Sequence, residues 1–186
     1  MLIAQQKRKE NIVEYIVYMW HIEDLLRLCR FNMDEIDSRI ISAYQQPEEV
    51  IEEIRQWYKG LVNMALNEGI EEKGHLQFLK NIVLELTALH DNLLHAPHET
   101  VYGSLYYRAL PAIVQLRSKA SQAPGTKKAF DEHPNDSEIE TCLTAVYGYF
   151  LLKLQARKIS VETTESLKHI SQLLAFLAAR THESEK

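Results

Sequence analysis

Cysteine is scarce in this chain of 186 residues: there are two, Cys29 and Cys142, each in an apolar stretch with no Cys or His at metal-ligand spacing. That excludes a disulfide framework or a cysteine-built metal centre, and a pair of buried free thiols suits a reducing, cytoplasmic compartment. Basic residues are not in excess either, with 21 Lys and Arg against 26 Asp and Glu and a net charge of −5. Affinity for a phosphate backbone rests on clustered Lys and Arg, so no nucleic-acid partner is expected. Lys7, Arg8 and Lys9 form the basic run near the N-terminus and read as a solvated helix end. Long apolar runs are missing too. The longest uncharged stretch is Thr141–Leu152, TCLTAVYGYFLL, whereas a membrane span needs ~20 such residues. No membrane partner is expected. The opening residues MLIAQQKRKE have no apolar core behind a basic start, so no secretory signal is read there. Absence of a GxxxxGK[ST] loop argues against phosphoryl transfer, and absence of GxSxG argues against a nucleophile elbow.

What is present is helical periodicity. Ile12–Phe31, IVEYIVYMWHIEDLLRLCRF, places Tyr15, Tyr18, Met19, Ile22, Leu25, Leu26 and Cys29 on one side, and Ile12, Ile16 and Trp20 widen the stripe. A helix apolar on most sides is buried on most sides, so this one is expected at the centre. Asn32 or Asp34 caps a short second helix carrying Ile36, Ile40, Ile41 and Tyr44. Pro47 is placed as the first residue of a third helix, which Gly69 ends. A fourth helix is expected from about Ile70 to His95, weakened by Gly74. The fifth, His98 to about Lys119, contains Pro111 and should kink or split there; Gly103 and Ser104 leave room for a neighbour. Ser121–Asn135, SQAPGTKKAFDEHPN, reads as a mobile loop. Ser137 then caps a sixth helix, apolar all round, which is expected to pack beside Ile12–Phe31 with Gly148 facing a crossing helix. Ser160 or Thr163 caps the last helix, with Leu167, Ile170, Leu173, Leu174 and Leu177 inward and Phe176 off the stripe.

With no β-period alternation and no fixed repeat, the fold class is all-α: an up-and-down bundle of about seven helices in a single domain, residues 1–186.

Two sets of residues are candidates for chemistry. HDNLLHAPHE brings His90, Asp91, His95, His98 and Glu99 together in sequence. His90 and His95 stand ~140° apart around a helix, whereas a bundle metal site needs ligands that converge. Neither a metal site nor a cofactor is therefore expected. The second set is Glu23, Asp24 and Arg27 within the apolar first helix, Glu23 and Arg27 at i and i+4. On a surface this pair would be worth only ~0.3 to 0.5 kcal/mol. Buried, it demands partners, which Tyr102, Tyr106, Tyr107 and Arg108, or Tyr147 and Tyr149, are available to supply. The candidate polar site is thus Glu23, Asp24, Arg27, His90, Asp91, Tyr102, Tyr106 and Arg108, either a ligand pocket or a network that holds helix register.

The segments KRKENIVEYIVYMWHIEDLLRLCRF and HETVYGSLYYRALPAI, through Tyr15, Trp20, Glu23, Asp24, Arg27, Tyr102, Tyr106 and Pro111, resemble a bacterial family of small, all-helical, cytoplasmic proteins classified only as uncharacterised. The resemblance implies an all-α fold across nearly the whole chain and supplies no activity, substrate or cofactor. Two readings follow. A non-enzymatic bundle acting through protein contacts, a homodimer among them, accounts for the surplus of apolar helix surface. The alternative is a small-molecule-binding or metal-dependent enzyme with a polar pocket inside the bundle.

Overall fold

Helical periodicity becomes helix along most of the chain. The computed structural model describes residues 2–122 and 137–184, and among these it has eight α-helices, one 3-10 turn and no strand. The chain is all-α, and no described helix is long and apolar enough to cross a membrane. It divides into two compact units, residues 1–81 and 82–186.

In the first unit, α1 (Leu2–Glu10) is followed by α2 (Ile12–Leu28). The sequence suggested one helix here, and Asn11 makes it two. Its side-chain oxygen accepts from the amides of Val13 (3.0 Å) and Glu14 (3.2 Å), which satisfies donors that a helix start leaves open. α2 is buried along its length through Val13, Tyr15, Ile16, Met19, Trp20, Ile22 and Leu26, as its apolar breadth requires. It ends at Leu28, three residues short of the expected Phe31, because Arg30 and Phe31 take left-handed backbone at φ 52° and 54°. For non-glycine residues this conformation costs of order 1–3 kcal/mol each; burial of the Phe31 ring offsets part of it.

Asn32 caps α3 (Met33–Arg39), a 3-10 turn covers Ile41–Ala43, and α4 (Glu48–Glu68) follows. Pro47 sits one position earlier than expected, as the residue before the helix whose carbonyl accepts from Val50 and Ile51. Gly69 ends α4 at φ 65°, as glycine can. The fourth helix does not begin at Ile70. Residues 70–76 form a loop, with Gly74 at φ 93°, and α5 runs Gln77–His95 across the boundary between the units. Gly74 thus marks a turn, where the sequence reading had only a weakened helix.

The second unit packs the rest of α5 with α6 (Thr100–Gln122), α7 (Glu138–Leu154) and α8 (Val161–Ser184). Pro111 lies inside α6, which continues through it as one element, so the two-helix form is set aside. Ser137 caps α7 through the Glu140 amide, and its hydroxyl accepts from Thr87 on α5 at 2.9 Å. Ser160 accepts from the amide of Thr163 at the head of α8. The inward stripe of α8 is as expected, and off-stripe Phe176 packs against the Tyr102 ring at 5.4 Å with Arg180 over its face.

α7 differs from its expectation. Ile139, Cys142 and Leu143 are buried, but Val146 to Leu152 are only half-buried and Leu154 is 58 % exposed. Within the unit it packs mainly against α6 and α8, with α5 reaching only its N-terminal end. A Cβ placed on Gly148 or on Gly103 would meet nothing within 4 Å, so neither glycine admits a crossing helix. Residues 123–135 of the expected loop lie outside the described residues, and 121–122 close α6.

Candidate functional site

The eight polar residues singled out by sequence fall three in the first unit and five in the second. In the first unit, Glu23 is 2 % exposed and its partner is not Arg27. One carboxylate oxygen accepts from the Leu76 amide at 2.8 Å, and the other accepts from His75 Nδ1 at 2.5 Å. The His75 ring lies flat on Trp20, with centroids 4.3 Å apart and planes at 16°. Arg27 pairs with Asp24 at 3.0 Å and donates to the carbonyl of Gly74, with a longer contact to that of Ile70 at 3.5 Å. Together these residues strap the 70–76 loop onto α2. Glu23 satisfies the loop's donors and Arg27 its acceptors, the division of labour their chemistry dictates. His75 is hidden from the sequence because residues 70–76 read as the start of a helix; the paired Gly69 and Gly74 are the available sign of a loop.

In the second unit, His90 is 4 % exposed, and α5 turns it toward α6. Its Nδ1 lies 2.5 Å from the Tyr102 hydroxyl, its Nε2 lies 3.7 Å from Glu138, and its ring is 5.4 Å from that of Tyr106. Glu138 also bonds the Tyr106 hydroxyl and stands 4.0 Å from Arg117. Burial lowers the His90 pKa against the opposing pull of Glu138 and Asp91, so the ring is neutral. The carboxylate beside Nε2 favours the proton there, which leaves Nδ1 to accept from the Tyr102 hydroxyl. Burial raises Tyr102, and it pushes Tyr106, helped by the Glu138 bond, and Cys142 up to about 12. His90, Tyr102, Tyr106 and Cys142 are therefore uncharged near neutral pH, and Glu138 stands between the His90 ring and the Arg117 guanidinium without a hydrogen bond to either.

Asp91 and Arg108 stay outside this cluster as exposed side chains. The other members of HDNLLHAPHE have separate engagements: His95 Nδ1 lies 2.7 Å from the Asp91 carbonyl, and Glu99 accepts twice from Arg180 at 2.9 and 3.0 Å. Among the described residues no group of three His, Cys, Asp or Glu is placed to hold a metal ion. Glu138 and Arg117 were missed by the sequence reading because each lies on a different helix from His90.

The second unit also holds a cavity of about 440 Å³ between α6, α7 and α8. Ala112 and Leu116, Ala145, Gly148 and Leu152, and Leu167 and Ile170 give it an apolar wall. Arg117, Lys119, Glu162 and the hydroxyls of Thr141, Thr144, Thr163 and Ser166 supply its polar part. The first unit has a smaller cavity of about 200 Å³ beside Tyr44, Val50 and Ile54.

Comparison with curated proteins gives no match, and neither does comparison with solved structures. The chain does belong, over residues 1–186, to the family described as domain of unknown function (DUF4924).

Proposed function

We propose that this protein is a non-enzymatic helical module that works through protein contact, with the outward face of α7 as the contact surface and a second copy of the chain as partner. The observation that supports this reading is the exposure of α7. Val146, Tyr147, Phe150 and Leu154 lie on the side of that helix away from the cavity and are only partly covered. A helix this apolar is stable in water when most of its surface is covered.

The charge pattern favours self-pairing. Residues 146–154, VYGYFLLKL, contain no carboxylate and one cation, Lys153. An antiparallel pair centred on Phe150 sets Lys153 of each copy opposite Tyr147 of the other, which separates the two ammonium groups and offers each an aromatic face. Lys153 already lies 4.6 Å from the Tyr149 ring within its own chain. The enzyme reading has weaker support, because Glu23 and His90 are buried and already engaged with protein partners. A cytoplasmic setting is proposed from the two buried free thiols, and a bacterial one from the family resemblance.

Multi-angle scattering and sedimentation of the full chain over a hundredfold concentration range test the proposal. The expected result is a dimer that Phe150→Glu with Leu154→Glu converts to a monomer of unchanged helix content. A monomer at every concentration removes the second copy as partner.

A further inference from the structure

We infer that the cavity between α6, α7 and α8 is a binding site for one small, neutral, mainly apolar molecule carrying a hydroxyl or carbonyl group. This does not rest on the dimer reading, since it concerns the opposite side of α7. The first support is size: about 440 Å³ lies within the range of ~300 to 1,000 Å³ in which clefts take up drug-sized ligands. The second is Gly148. Glycine is the poorest helix former after proline, and this one stands inside α7. Among the described residues, a Cβ there meets nothing within 4 Å. Gly60 and Gly103 share that openness, but the open side of Gly148 is a wall of the cavity. A side chain larger than alanine at this position would project into the space, so glycine keeps the floor low where the walls are Leu116 and Leu167.

The polar groups select the ligand's charge. The lining carries two cations, Arg117 and Lys119, and one carboxylate, Glu162, while Glu138, outside the lining, stands 4.0 Å from Arg117. With Glu138 counted the charges balance, so no excess of one sign draws an ion. Hydroxyls line the cavity as well: Thr144 and Ser166 can donate to a carbonyl or accept from a hydroxyl, Thr163 accepts from Ser160 and keeps its proton to give, and Thr141, which donates to the Ser137 carbonyl at 3.2 Å, can accept. An apolar wall with a few such groups orients a neutral molecule without desolvating a charge.

Titration of the full chain with N-phenyl-1-naphthylamine, followed by fluorescence, tests the site, with decanol as competitor. Saturable binding at one probe per chain is expected, displaced by decanol and weakened at least tenfold by Gly148→Phe and by Thr144→Phe. Circular dichroism melts show which variant is folded, and either folded variant suffices; Gly148→Ala, which meets no neighbour, should fold and retain binding. The 8-sulfonate of the same probe, differing by one anionic group, should bind at least tenfold more weakly. Absence of saturable binding, or binding that the folded cavity variants leave unchanged, overturns the site. Equal or tighter binding of the sulfonate overturns its preference for a neutral ligand.

Discussion

At the scale of single residues, the informative groups are Glu23 and His90, the buried polar or charged residues among those described. A buried carboxylate persists where its acceptor capacity is filled, and Glu23 fills it with the Leu76 amide and His75. His75→Ala removes one of these donors and the ring stacked on Trp20, so it should lower stability by about 2 kcal/mol in urea unfolding. His90 carries a pH prediction. Its folded pKa is lowered by burial, as is that of His21, so the unfolded chain takes up protons at a pH where the folded chain does not. The contribution of these groups is complete above the ordinary histidine value of 6.5 and is lost as pH falls from there toward the lowered folded values. Urea midpoints measured at pH 7.5 and at pH 5.5 should therefore differ, and His90→Gln should reduce that difference. That Glu23 needed a partner was legible from its place in an apolar helix. Which partner was not, because His75 reaches it from 52 residues away along the chain.

At the scale of elements, caps and glycines fared differently in the sequence reading. Asn32, Ser137 and Gly69 act where they were expected, since each works on amides or carbonyls within a few residues of itself. Asn11 has the same chemistry, yet the strength of the apolar pattern after it masked the break between α1 and α2. Asn11→Ala should cost about 1 kcal/mol, read as a shift in the urea midpoint with little change in slope. Gly103 and Gly148 were read as sites of close helix approach and are open. A glycine in a helix signals missing volume, and whether a neighbour or empty space takes that volume is a property of the packed unit. Pro111 is a similar case. Its missing amide weakens α6 locally, but packing of Ala109, Ala112 and Ile113 is available to hold the helix together through it.

At the scale of the whole molecule, each unit carries one buried free cysteine, Cys29 in the first and Cys142 in the second. Burial raises both thiols, Cys142 to about 12, so the thiolate is rare and shielded. Neither should react with a thiol reagent on mixing, and both should react once denaturant is added; the two labelling rates in native buffer then report the opening of each unit separately. Prompt reaction of Cys142 in native buffer would contradict its burial. The order of residues alone determined that this chain is helical, where most helices begin and end, and that Ile12–Leu28 is buried, because periodicity, capping and turn chemistry act over a few residues. Tertiary structure decided that 70–76 is a loop strapped to α2, that Glu138 and Arg117 stand near His90, and that α7 lines a cavity on one side and is only partly covered along the second half of the other. Those outcomes depend on which distant surfaces meet and how well they fill the space between them, and pattern along a single chain carries no term for that.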